Sequence, residues 1–231
     1  MAGLHSRRFF LKSGLAGLLS VCFPRCFSVG ATLKKALPDV NLDFIASELE
    51  LIPRDEWTDA VARTWLLREA GMYNRLTVHH AGVRINMHTI KNAVINDLQN
   101  LLAGHISKNY ADIAYHLVID YEGRIWEGRS LAYEGAHVSD NNERNIGVLV
   151  LGDFERQKPS VKQLDSLRIL SGLLRDRYNI KKHRVYGHRD LSPSKCPGRY
   201  LYPHVLGMRA GPEKVFKKTP EKQRDKGGQD G

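Results

Sequence analysis

The run Val148-Leu149-Val150-Leu151, inside Asn145–Gly152, constrains the fold more than any other stretch of this chain. Four consecutive apolar residues leave no polar face for water. Such a run reads as a strand covered on both sides. Ser160 with Gln163 then makes a capping box, and Val161, Leu164, Leu167, Leu170 and Leu174 follow at helical spacing, which predicts a helix to about Tyr178. Met87, Ile90, Val94, Leu98, Leu101 and Leu102 repeat helically over 87–103, with Lys91, Asn92, Asn96 and Gln99 outside. Leu76–His80 and Val185–Gly187 read as further strands. Tyr115–Asp120 and Arg124–Glu127 read as a hairpin through Tyr121-Glu122-Gly123. Shorter helices are expected near Asp43–Glu50, within 60–70 and from Tyr200 to about Gly207.

A length of 231 residues, 42% of them apolar, suits one domain with tails. The formal charge of +10 gathers at the ends. Residues 1–31 carry Arg7, Arg8, Lys12 and Arg25 with no acid, and residues 206–231 carry seven bases against four acids, so residues 32–205 keep only +3. A basic stripe interleaved with aromatics is missing, and nucleic acid is not an expected partner.

Ser6-Arg7-Arg8-Phe9-Phe10-Leu11-Lys12 has the order of a twin-arginine export signal. The apolar stretch Gly14 to Phe23 is too short to span a bilayer, and Val29-Gly30-Ala31 offers a cleavage site. The expected organisation is a leader over 1–31, a linker over 32–51, a folded domain over 52–206 and a basic, disordered tail over 207–231. The product would be exported to the periplasm or envelope, without a transmembrane span in the mature chain. Two of the three cysteines, Cys22 and Cys26, fall in the leader, which leaves Cys196 alone in the mature chain. A lone thiol outside the cytoplasm oxidises unless it is buried or metal-bound.

Cys196 closes the stretch Gly187-His188-Arg189-Asp190 to Ser194-Lys195-Cys196-Pro197-Gly198. Imidazole and thiolate are ligands that zinc prefers. Glycine and proline on either side punctuate a tight loop. Two ligands do not hold a catalytic ion, and the third is His79 or His80, at the end of the strand Leu76–His80.

Six motifs in order carry a resemblance: Val78-His79-His80-Ala81, Ala114-Tyr115-His116, Glu122 to Arg129 (EGRIWEGR), Gly135-Ala136-His137, Asn145-Ile146-Gly147-Val148, and the His188 to Gly198 stretch. Over Ile52 to Tyr202 the chain resembles the type 2 N-acetylmuramoyl-L-alanine amidases, which include phage lysozyme-type amidases and peptidoglycan recognition proteins. The resemblance implies an α/β fold, a central mixed sheet flanked by helices, with a groove holding one zinc ion. It implies His79, His188 and Cys196 as ligands, with Tyr115 as the catalytic tyrosine. Ser194 stands where the family has lysine or a hydroxyl residue. The implied reaction is hydrolysis of the amide between N-acetylmuramic acid and L-alanine, on peptidoglycan or muropeptides, by a monomer. A zinc held by three protein ligands keeps one position open and brings the pKa of a water towards ~7. Tyr115 or Ser194 would add a hydrogen bond to the developing oxyanion. The competing expectation is a peptidoglycan-binding module without turnover, which would not need an open metal site.

His80, Arg129 and His137 are expected to line the peptide groove, with His137 a second choice as base. Asp190 is expected to be a turn residue. Trp57 and Trp126 are expected in the core, with Trp65 packed on its own helix. His88, His105, His183 and His204 receive no functional role.

Overall fold

The structure, a computed structural model, describes residues 40–83 and 89–210. The expected leader, the start of the linker, Met87, His88 and most of the basic tail lie outside the described residues.

In chain order the elements are α1 (Asp43–Ala46), β1 (Leu51–Ile52), β2 (Arg75–His80), α2 (Lys91–Ser107), β3 (Leu117–Ile119), β4 (Ile125–Glu127), β5 (Asn145–Val150), α3 (Val161–Tyr178), β6 (Val185–Gly187) and α4 (Tyr202–Ala210). The six strands form one sheet in the order β1-β4-β3-β5-β2-β6. Only the hairpin β3–β4 is antiparallel, and every other neighbour is parallel. This is the mixed α/β sheet that the resemblance implied.

Strand β5 is buried at all six positions, as its apolar run requires. On one face Val148 and Val150 join Leu76, Val78, Leu117 and Ile119 under Leu167, Leu170 and Leu174 of α3 and Val205 of α4. On the other face Leu149 and Leu151 join Val118 and Trp126 under Val94, Leu98 and Leu102 of α2. The side chains of β2 alternate, so Thr77 and His79 point away from the α3 face. That half of the sheet carries polar side chains where α2 would otherwise find an apolar seat.

Helix α3 starts at its capping box. The Ser160 Oγ accepts the Gln163 N–H, and the Gln163 Oε1 accepts the Ser160 N–H, each at 3.0 Å. Asn179 ends it in the left-handed region at φ 51°.

Several boundaries differ from expectation, among them α2, which runs Lys91–Ser107 where 87–103 was expected. The domain starts upstream of Ile52: Ile45 is fully buried, Leu42, Phe44 and Leu49 pack on the core, and β1 pairs with β4. The second half of the expected linker therefore belongs to the fold, because it carries apolar side chains that find the α3 face. The helix expected within 60–70 is reduced to a single 3-10 turn, Thr64–Leu66. Its main chain pairs elsewhere, Arg63 N–H to the Ala111 carbonyl and Ala70 N–H to the Ala132 carbonyl, both at 2.8 Å. Trp65 is consequently 78% exposed and does not pack on a helix. Helix α4 continues to Ala210, beyond the expected Gly207. Among the described residues no helix is long and apolar enough to cross a membrane.

His116 sits in the core with its Nδ1 accepting the Gly147 N–H and its Nε2 bonded to the Tyr133 carbonyl, each at 3.0 Å. Burial lowers its pKa to about 4, and burial also lowers His105 to about 4. The folded chain keeps these rings neutral, whereas the unfolded chain protonates them near ~6.5. Stability is therefore complete above ~6.5 and is lost as pH falls towards about 4. For the fully buried His116 the expected loss is about 2 kcal/mol at pH 5. Urea midpoints of the metal-free protein at neutral pH and at about pH 5 measure it, and equal midpoints contradict it.

Candidate metal centre

Strand pairing builds the site. In the parallel β2–β6 pair Val78 faces Gly187, so His79 and His188 are the next residues on adjacent strands. After His188 the chain makes a 3-10 turn, His188–Asp190. Asp190 closes it by accepting the Gly187 N–H at 2.8 Å, and is itself held by the Tyr202 hydroxyl and Arg209. Asp190 is thus the turn residue expected.

The loop then brings Cys196 back to His79. The Ser194 Oγ accepts the Cys196 N–H at 3.0 Å, and the Arg189 N–H donates to the Cys196 carbonyl at 2.9 Å. Gly198 is needed here: its φ is +92°, and a Cβ would lie 2.4 Å from the Phe154 carbonyl carbon. The loop is pressed against the 154–155 backbone. Arg189 adds a clamp through Glu155 and the Lys195 carbonyl.

The ligand atoms of His79, His188 and Cys196 all lie within 4.8 Å of one another. His79 Nδ1 and Cys196 Sγ are 3.7 Å apart. Zinc bonds of ~2.0 Å to nitrogen and ~2.3 Å to sulfur in a tetrahedron put such atoms roughly 3.6 Å apart. The His79–Cys196 spacing and the two-imidazole, one-thiolate donor set fit zinc, and the spread of up to 4.8 Å would close by about 1 Å on a tetrahedral ion. His79 is fully buried, and burial first, then the neighbouring His137 and His188, hold it neutral. Burial lowers His188 too. Neutral imidazole is the ligating form. Burial pushes the Cys196 thiol up to about 12, against a His80 N–H that donates to Sγ at 3.3 Å and the charge of Arg189. A bound cation displaces that proton.

Tyr115 stands over His79 with ring centroids 5.1 Å apart. Burial, and secondarily Cys196, hold the phenol well above its ordinary range. At neutral pH it keeps its proton.

The other expected site residues are placed differently. Ser194 is exposed, beside the ligand loop, with its oxygen already accepting the Cys196 N–H. The His80 ring is turned away: its Nδ1 accepts the Phe154 N–H at 3.1 Å, it stacks on Phe154, and only 8% of its side chain is exposed. The part of His80 that touches the centre is its main chain. Arg129 is 4% exposed, and its guanidinium donates to the carbonyls of Ile113, Glu134 and Asp112. It braces the loop before Tyr115 and forms part of the wall of a polar groove with Arg68 and Glu134. His137 is 6% exposed and lies behind His79, its Nδ1 3.0 Å from His79 Nε2. Arg129 still reaches the polar groove with Arg68 and Glu134, as expected, whereas the rings of His80 and His137 are turned to protein partners. The Arg189 clamp and the thiolate-facing His80 N–H were not anticipated. Arg189 was visible beside His188, but nothing in the sequence pairs it with residue 195.

A family model for N-acetylmuramoyl-L-alanine amidase (Amidase_2) matches residues 72–199. The chain belongs to this family. It is 34% identical over 107 residues to peptidoglycan-recognition protein SD of Drosophila melanogaster, covering 46% of this chain and 58% of that protein. Among solved structures it is similar to the N-acetylmuramoyl-L-alanine amidase LysC from Clostridium intestinale, at 25% identity and TM-score 0.58 over 70% of this chain and 95% of that one. It is also similar to a complex of peptidoglycan recognition proteins LCa and LCx with tracheal cytotoxin, at 26% identity and TM-score 0.62 over 68% of this chain and 95% of that one.

Proposed function

We propose that this protein is a zinc-dependent amidase that cleaves the bond between N-acetylmuramic acid and L-alanine in peptidoglycan. The observation that carries the reading is the convergence of His79, His188 and Cys196 under a protonated Tyr115. A bound zinc supplies Lewis acidity towards the amide carbonyl and lowers the pKa of a water. The three ligands hold and orient it. Tyr115 donates a hydrogen bond to the charge that develops on the carbonyl oxygen. Ser194 is a second donor: its oxygen accepts the Cys196 N–H, and its own proton stays free for substrate. A polar groove lined by Arg68, Tyr110, Glu134 and Asn142 reaches Gly135 and Ala136, next to His137, and offers room for a stem peptide. The similarity to a cytotoxin-bound recognition complex supports a muropeptide ligand. The twin-arginine pattern at Ser6–Lys12 supports export to the envelope, where the protein acts as a monomer.

Mass spectrometry of products from purified sacculi and from soluble muropeptides, with and without a chelator, tests the proposal. Stem peptides beginning at L-alanine and peptide-free glycan are expected, lost on chelation and restored by zinc. Binding without products on either substrate would instead make the chain a recognition module.

Tyr115→Phe removes one donor and leaves the three ligands in place. Its kcat is expected to fall about 10²–10³-fold, with zinc content and KM nearly unchanged. Steady-state kinetics on a defined muropeptide reads this split, and an unchanged kcat removes Tyr115 from the chemistry.

A further inference from the structure

We propose that His137 is a positioning residue: its Nδ1 accepts the Nε2–H of His79 and leaves the His79 Nδ1 as the nitrogen offered to the ion. The inference rests on the metal-centre reading above.

The argument starts at the far end of the chain of contacts. The Asn145 carbonyl can only accept, and it lies 3.1 Å from the His137 Nε2. The His137 proton is therefore on Nε2, and a neutral ring then has a bare Nδ1. That nitrogen is 3.0 Å from the His79 Nε2, which must be the donor. His79, neutral as well, keeps its lone pair on Nδ1, the atom 3.7 Å from Cys196 Sγ. One carbonyl thus sets the tautomers of two rings in series. Both rings lie out of water, His79 fully buried and His137 6% exposed.

The surroundings fix His137 more firmly than packing alone needs. A Cβ on Gly135 would lie 2.3 Å from its ring, and a Cβ on Gly147 2.4 Å from it. The two glycines form a slot that holds the imidazole between them. The Asn142 Oδ1 accepts the main-chain N–H of His137 at 2.8 Å and of Val138 at 2.9 Å. Asn145 is anchored in turn by the Thr77 hydroxyl at 2.9 Å and by its own bond to the Asn141 carbonyl at 2.8 Å. Main chain, ring plane and Nε2 are all held, and the only free functional atom, Nδ1, is aimed at His79. Outer partners of this kind orient a ligating imidazole and raise its basicity.

Two measurements test the inference. Long-range 15N–1H correlation spectra of the metal-free wild-type protein at neutral pH report the tautomer of each ring. Protons on Nε2 of both His79 and His137 are expected, and a proton on Nδ1 of His79 overturns the relay. Cobalt titrations compare wild type with His137→Leu and His137→Asn. Leucine, which cannot accept, is expected to weaken cobalt binding about 10–100-fold. Asparagine, whose side-chain oxygen can accept the same proton, is expected to recover most of it. Equal affinity in the folded leucine variant overturns the inference, and so does a loss that asparagine does not recover, since that is packing. Cys196→Ala serves as the separate control. If it leaves cobalt affinity and the thiolate-to-cobalt absorption unchanged, the metal centre itself fails, not the relay.

Discussion

Cys196→Ala is expected to strip the protein of its metal and of amide hydrolysis together. Two imidazoles remain, but the thiolate supplies the only negative charge among the three donors. Its loss also leaves the His80 N–H without the sulfur it faces at 3.3 Å. The affinity loss should exceed the about 10–100-fold that follows removal of an outer-sphere partner. Zinc content after dialysis against a weak chelator, with product mass spectrometry on the same samples, gives the answer. The fold should persist, because the change removes one small side chain at the edge of the core. Added zinc should raise the thermal midpoint of wild type and not of the variant. A variant with full zinc and full turnover would mean that the ligand assignment is wrong.

The second large effect is on stability. Trp126 is fully buried under α2, and its indole N–H donates to Asp120 Oδ2 at 2.9 Å. Asp120 is itself fully buried and also holds Arg124 at 2.6 Å. Trp126→Ala removes the largest side chain on that face and one of the bonds to a buried carboxylate. The cavity alone costs about 3–5 kcal/mol, and the lost bond to a charged group adds about 1.5–3. Domains of this kind have only about 5–15 kcal/mol in total. The metal-free variant should be largely unfolded at modest urea, and saturating zinc should recover part of the loss. Trp126→Phe keeps most of the volume and should lose little more than the hydrogen bond. Urea titrations followed by circular dichroism decide it, and a wild-type midpoint for the alanine variant would sink the argument.

Much of this was legible in the sequence, for reasons that can be named. The Val148–Leu151 run forecast a strand with two covered faces because an unbroken apolar run has no other place in water. The Ser160–Gln163 pair forecast the start of α3 because capping is local chemistry. The clustering of His79, His188 and Cys196 was legible because their motifs keep donor type and order; the β2–β6 register brings the two histidines together and the loop returns Cys196 to them. Orientation was not legible. His80 and His79 are adjacent, yet strand alternation sends one ring to Phe154 and the other to the cluster with His188 and Cys196. His137 belonged to a recognised motif, but whether its ring faces a groove or a carbonyl depends on partners far away in sequence. Residues 60–70 were misjudged because an apolar cluster imitates a helix when its backbone partners, at 111 and 132, are unknown.

Strand order has a consequence for how the protein is made. Strand β6 is one of the two edge strands and the last of the six along the chain, and within the sheet it pairs with β2. A ribosome adds roughly 5–20 residues per second. For several seconds, then, a nascent chain carries His79 with neither His188 nor Cys196 yet made. Any nascent chain released before β6 offers zinc scattered side chains instead of a cage. The proposed cage is complete only once Cys196 has been made, so a chain that stops short of β6 lacks two of its three donors.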